Sequence, residues 1–354
     1  MTTTIASRGA STRHAGRRRP AATADLIAAL AGKLTGRDRW LLGMLAEHRV
    51  LTTTHLAALG FPTTRRAERR LAELHAWRCA DRFRPHTPVG GGSTPYHWVL
   101  DDAGAAVLAA AHGVTAGELG HRRAAALAVA HSQRLAHTLG TNTLLAALAS
   151  TGQLTGWWGE RRCAAAWGDL ARPDAAGTWH TRHSGDVTGG AVLAFAVEYD
   201  TGTEPLPRVA GKLADYADLA AALGRPLPVL FWLPSTVRET ALHRQFDPAS
   251  LHPGGLLVAT AVADHATTAG GPAGPVWRPA HRIPARRERL TLDQLAGGWA
   301  AAGPTPGLTR GDLGLGWPPP EPRPPTPHPP EAGSDAAAPG EPAGARGPRR
   351  GAGG

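Results

Sequence analysis

The chain has 354 residues, enough for two domains of ordinary size, and carries 38 Lys and Arg against 28 Asp and Glu, a net charge of +10. That balance favours a polyanionic partner and sets nucleic acid ahead of a membrane surface; GC-rich coding also inflates Arg, Ala, Gly and Pro, so only clustered charge is counted below. Two distant cysteines, Cys79 and Cys163, exclude a disulfide framework and a zinc ligand set; no apolar run nears the ~20 residues of a membrane span, and a reduced cytoplasm is the expected compartment.

Residues 1–21 hold Arg8, Arg13, Arg17, Arg18 and Arg19 without an acid. They read as a disordered basic arm, either touching phosphates or simply solvated. Residues 22–115 then read as a first domain. An Ala- and Leu-rich helix covers 22–33. Thr35-Gly36-Arg37-Asp38 is a capping box, and Trp40, Leu41, Met44 and Leu45 follow it at helical spacing. A short helix fits Thr53 to Leu59, and Gly60-Phe61-Pro62 turns the chain. A third helix runs from Thr64 to about Trp77, with Ala67, Leu71 and Leu74 on its apolar face. Its other face pairs Arg65 with Arg69 and Arg66 with Arg70, each four residues apart. Asp81-Arg82-Phe83 and Tyr96 to Leu100 flank a glycine-bearing tip, the pattern of a β-hairpin. Three helices and a hairpin make a winged helix-turn-helix, in which the third helix enters the major groove of duplex DNA. Such folds also serve as protein–protein modules; clustering of the arginines on one helix favours DNA.

A closing helix from Asp101 to Ala111 and a hinge at Gly113–Gly120 lead to a second domain at 116–302. Its pattern is a helix from His121 to Ser150, then three strands: Trp157 to Cys163 with Glu160, Asp174 to Trp179, and Ala191 to Tyr199. A helix at Pro205–Leu223 and a buried strand at Val229–Leu233 complete an αβββαβ order, making the whole chain mixed α/β, or α+β overall. A helix at Thr236–Phe246, a strand at Leu256–Val262 and a helix at Leu290–Ala300 follow. From 303 to 354 proline and glycine dominate, and a disordered tail is expected.

The chemistry concentrates between Arg172 and Tyr216. Arg172-Pro173-Asp174 precedes a strand, Glu198-Tyr199-Asp200 closes the next one, and Thr201-Gly202-Thr203-Glu204 leads into a helix carrying Arg208, Lys212 and Tyr216. Strand alternation puts Glu198 and Asp200 on one face and Tyr199 on the other. Hydrolysing a phosphodiester with a divalent metal needs hard oxygen ligands, an activated water and positive charge at the phosphorus. Asp174 and Glu198 are the expected metal ligands, with the Tyr199 carbonyl beside them. Lys212 is the expected cation, and Glu160 is an accessory ligand or orients the lysine. His131, His137 and Asn142 lie on the preceding helix, within range of phosphate or the acids. His180 and His183 lack a third ligand, and no His-x-His pair accompanies a tyrosine, so covalent tyrosine chemistry is excluded.

This segment resembles the PD-(D/E)XK nuclease-like core. With the region before it, over roughly residues 34–262, the chain resembles the replication-relaxation family of plasmid and mobile-element proteins. The resemblance implies a winged helix-turn-helix followed by a nuclease-like domain, with Asp174, Glu198, Asp200 and Lys212 as the catalytic set. It also implies Mg²⁺ or Mn²⁺ as cofactor, and double-stranded DNA and plasmid replication or transfer proteins as partners. Asp200 departs from it, because that position is usually a lysine. Two functions therefore stand open: a metal-dependent DNA-nicking protein, and a non-catalytic replication or transcription regulator with a degenerate nuclease fold.

Overall fold

The computed structural model describes residues 22–85, 94–122, 134–181, 190–246, 256–280, 289–300 and 315–326, with a few single positions between. The expected basic arm at 1–21, the tip at Gly90–Gly92, His131, His183 and the tail beyond 326 lie outside the described residues.

Helix α1 (Ala24–Lys33) starts on Thr23, whose side chain accepts from the Leu26 amide. Helix α2 (Gly36–His48) starts on the predicted capping box. Thr35 Oγ1 accepts the Asp38 amide at 3.2 Å and Asp38 Oδ2 accepts the Thr35 amide at 2.7 Å. Strand β1 (Leu51–Thr52) leads to α3 (Thr53–Gly60) and α4 (Thr64–Ala76). Helix α4 buries Ala67, Leu71 and Leu74, as its apolar spacing predicts. Strands β2 (Ala80–Phe83) and β3 (His97–Leu100) complete an antiparallel sheet of order β1-β3-β2. Helix α5 (Asp102–His112) closes against it so tightly that a Cβ on Gly104 would stand 2.1 Å from the Cys79 carbonyl oxygen.

The expected hinge at 113–120 is instead a packed turn. Thr115 and Glu118 cap each other, Leu119 is buried, and the Leu119 carbonyl accepts from Arg161 Nη1. Burial of one leucine and satisfaction of its carbonyl are what a hinge would have to give up.

The second sheet has six strands in chain order: β4 (Leu154–Gly159), β5 (Ala175–His180), β6 (Val192–Tyr199), β7 (Val229–Leu233), β8 (Val258–Val262) and β9 (Arg278–Pro279). Strands β4 to β6 are antiparallel, β6 to β8 parallel, and β9 antiparallel at the edge. Helix α6 (Leu135–Ser150) precedes β4, α7 (Glu160–Trp167) follows it, and α8 (Leu206–Leu223) makes the crossover from β6 to β7. Helices α9 (Thr236–His243), α10 (Ala263–Thr268) and α11 (Leu292–Ala300) complete the described elements.

The strand expected at 157–163 is a correction: the strand is 154–159, and Glu160 opens a helix. Gly159 supplies the N-cap, and the alanines 164–166 propagate the helix better than they would a strand. Of the helical pattern that runs from 121 to 150 in sequence, α6 covers Leu135–Ser150, and most of 123–133 lies outside the described residues.

Side chains of β6 alternate between two cores. Leu193, Phe195 and Val197 join one with Leu144 and Leu145 of α6; Ala194 and Ala196 join the other with Leu213 and Leu219 of α8. The first core continues without a break into Leu41, Leu71 and Trp98 around the smaller sheet. The described residues up to Pro324 belong to one compact unit.

That unit includes part of the expected disordered tail. Trp317 is 2% exposed and packs on Leu108, Ala109 and Leu119, and the Glu321 carbonyl accepts from Trp40 Nε1 at 2.8 Å. One large indole among prolines is enough apolar surface to fix this short stretch, which composition averaged over the tail hides.

Candidate functional site

Register brings the acids together. Ala175 pairs with Val197, so Asp174 and Glu198 occupy the next rung, at the end of β5 and β6. The Asp174 amide donates to the Val197 carbonyl at 3.1 Å, and the Tyr199 amide donates to Asp174 Oδ2 at 2.8 Å. His137 on α6 completes this half: its Nε2 lies 3.1 Å from Asp174 Oδ2. That hydrogen bond raises the His137 pKa, against the lowering effect of burial. Tyr199 faces α6 as alternation predicts, edge-on to His137 at 5.8 Å between ring centroids. A Cβ on Gly140 would lie 2.3 Å from the Tyr199 ring, so only glycine lets α6 approach this closely.

Glu198 faces α8 and is 4% exposed. Lys212 Nζ donates to its Oε2 at 2.8 Å, and the Tyr216 hydroxyl donates to its Oε1 at 2.5 Å. Lys212 and Tyr216 are four apart on one helix face, the spacing that lets both reach one carboxylate. Burial and the nearby Asp174 charge push the Glu198 carboxyl up to about 7, although Lys212 and Tyr216 pull it down. Burial lowers the Lys212 pKa, but Glu198, Asp174 and Glu204 together raise it further, so the ammonium stays charged. Tyr216 is raised by burial and then by Glu198 and Asp174, and stays a neutral donor.

Asp200 is built differently. Arg238 of α9 binds both its carboxylate oxygens, Nη2 to Oδ1 at 3.0 Å and Nε to Oδ2, while the Gly202 amide donates to Oδ1 at 2.7 Å. Asp200 thus closes the turn that carries Glu204 towards Lys212, whose Nζ stands 3.4 Å from Glu204 Oε2. Arg238 lies 38 residues on from Asp200 and has no local signal in the sequence. Glu160 pairs with Arg134 at 3.6 Å, and its charge adds to the raised His137 pKa. Asn142 is not at this centre; its side-chain amide donates to the His48 and Val50 carbonyls at 3.1 and 2.7 Å.

Among the described residues no group of three His, Cys, Asp or Glu is arranged to hold a metal ion. Mg²⁺ and Mn²⁺ at phosphate sites need fewer protein ligands, since one or two carboxylates are completed by water and phosphate. Asp174 and Glu198 stand on one rung and are carboxylates, the ligand type such ions take, with both Glu198 oxygens already accepting from Lys212 and Tyr216.

The four arginines of α4 do not share one fate. Arg65, Arg66 and Arg69 are exposed, and Arg69 lies 3.5 Å from Glu73. Arg70 is placed differently: it turns into the protein, where Nε and Nη2 donate to Asp38 at 2.7 and 2.5 Å and Nη1 donates to Glu73 at 2.5 Å. It also lies over the Trp77 ring at 4.9 Å. Asp38 is the capping-box acid of α2, so Arg70 ties α4 to the start of α2.

A family model described as replication-relaxation matches residues 42–228, more than half of the chain. No curated protein matches the chain, and no solved structure does. No helix of the described residues is long and apolar enough to cross a membrane.

Proposed function

The chain belongs to the replication-relaxation family, and from that premise we propose that it is a DNA-binding protein of plasmid or mobile-element replication, gripping duplex DNA through α4. A role in replication or relaxation comes with the family. Helices α2, α3 and α4 with the β1-β3-β2 sheet support a winged helix-turn-helix, in which α4 is the recognition helix. The observation that carries the reading is the pair of opposed faces of α4. Ala67, Leu71 and Leu74 anchor one face while Arg65, Arg66 and Arg69 stand exposed on the other. Arg70, bound to Asp38, fixes the helix rather than the DNA.

Replacing Arg65, Arg66 and Arg69 together by alanine is expected to weaken duplex binding. The salt dependence of affinity, read by fluorescence anisotropy, should flatten by about 0.9 in log–log slope for each phosphate that is no longer neutralised. An unchanged slope places the DNA grip elsewhere than α4.

A second reading is metal-dependent DNA nicking, favoured by the convergence of Asp174, Glu198 and Lys212. The α6, β4–β5–β6, α8, β7 order supports a PD-(D/E)XK-like core, with α7 inserted after the first strand. Asp174 and Glu198 would hold Mg²⁺ or Mn²⁺, which supplies Lewis-acid charge and an activated water when bound. The chain's own groups do the rest. His137 and the Tyr199 amide orient Asp174, Tyr216 orients Glu198, and Lys212 sets a positive charge beside both acids. Supercoiled plasmid incubated with Mn²⁺ should be nicked by the wild-type chain and left intact by Asp174→Ala. DNA retained by both proteins without any nicking establishes the non-catalytic regulator instead.

A further inference from the structure

Two exposed arginines flank the acidic centre, and neither reading above uses them. Arg134, the residue before α6, is 80% exposed and its Nη1 lies 3.6 Å from Glu160 Oε1. Arg208, near the start of α8, is 78% exposed and its Nε lies 3.0 Å from Glu204 Oε1. Each stands on an element that carries part of the centre: Arg134 is three residues before His137, and Arg208 is four before Lys212. Glu204 is shared, since Lys212 Nζ stands 3.4 Å from its other oxygen.

The charges around this mouth raise a difficulty for any DNA strand. Asp174, Glu198, Glu160 and Glu204 are all acids, and a phosphodiester meets repulsion from each that is ionised. Cations near the centre must answer that repulsion, and Lys212 is already committed to Glu198. Exposed Arg–Glu pairs are held by only about 0–1 kcal/mol, so their arginines can exchange partners at little cost. A guanidinium also takes a phosphate through two parallel N–H bonds, which no ammonium can do.

We propose that Arg134 and Arg208 are a pair of phosphate grips that leave Glu160 and Glu204 to seat a DNA backbone across the Asp174–Glu198 centre. The grip is sequence-independent and separate from α4. It rests on the reading that this chain binds DNA, and the test separates the two.

The full chain, the α4 triple-alanine variant and an Arg134→Ala/Arg208→Ala variant are titrated with a labelled duplex over a range of salt. Both arginines are exposed, so the double variant should keep the wild-type thermal midpoint. Its log–log salt slope should fall by about 0.9 for each of the two phosphates released. Arg134→Lys/Arg208→Lys, which keeps the charge, should restore most of the slope. A double-alanine variant with the wild-type slope, beside an α4 variant whose slope falls, overturns the grip and leaves the α4 reading standing. A wild-type chain that retains no DNA overturns both.

Discussion

Glu47→Ala is expected to lower the stability of the chain by about 3–5 kcal/mol, the range for breaking one half of a buried ion pair. Its partner Arg162 is 0% exposed, and the Glu47 side chain 1%. Arg162 Nε donates to both Glu47 oxygens at 3.0 and 3.1 Å, and Nη2 donates to Oε2 at 2.8 Å. The Gly159 amide donates to Oε1 at 3.0 Å, just where β4 gives way to α7. Alanine at 47 would leave a guanidinium and an amide buried without their acceptor, and water cannot reach them without opening the packing between α2 and α7. The desolvation cost of the remaining charge, not the lost attraction, sets the size of the effect. Removing both partners together, as Glu47→Met/Arg162→Met, should therefore recover most of the loss, and a double-mutant cycle under urea unfolding reads that directly. A loss under about 1 kcal/mol for Glu47→Ala, the range of solvated pairs, would show that the pair is open to water.

The same pair marks where sequence reading stops. Features held by neighbours in the chain are legible. The Thr35–Asp38 box, the Ala67–Leu71–Leu74 stripe of α4, and the Lys212–Tyr216 spacing that delivers two donors to Glu198 all follow from helical geometry. Strand alternation likewise separates Glu198 from Tyr199, and the strand order places Asp174 beside Glu198. Partners supplied from far along the chain are not legible. Asp38 takes Arg70 from 32 residues away, Asp200 takes Arg238 from 38, and Glu47 takes Arg162 from 115. Each of those arginines looks in sequence like free surface charge. In the fold each is bound to an acid, which is why Arg70 turns away from the exposed arginines of α4 and Asp200 has its cation supplied by the chain. Glu160 departs from its expected strand for a local reason: β4 ends at Gly159, and apolar residues flanking a charged run fit either a strand or a helix start.

Trp317→Ala is expected to cost about 3–5 kcal/mol, the range for deleting a fully buried large aromatic. Composition alone forecasts no effect, because a Pro- and Gly-rich tail has little to bury. The indole, however, sits on Leu108, Ala109 and Leu119, with the Arg162 guanidinium 4.6 Å above its ring. Its carbonyl accepts from Arg162 Nη1 at 3.0 Å, so the tail also satisfies the third side of the buried pair. Deleting the side chain uncovers Arg162 and frees the following prolines, which lie along α2 with Pro320 against Gly43. Trp317→Phe keeps a ring in the site and should fall between the two. Thermal unfolding measures the loss, and limited proteolysis after residue 320 should become faster in the alanine variant only. A wild-type midpoint in Trp317→Ala would mean that the stretch adds nothing to the fold. Arg162 would then owe its place to Glu47 alone.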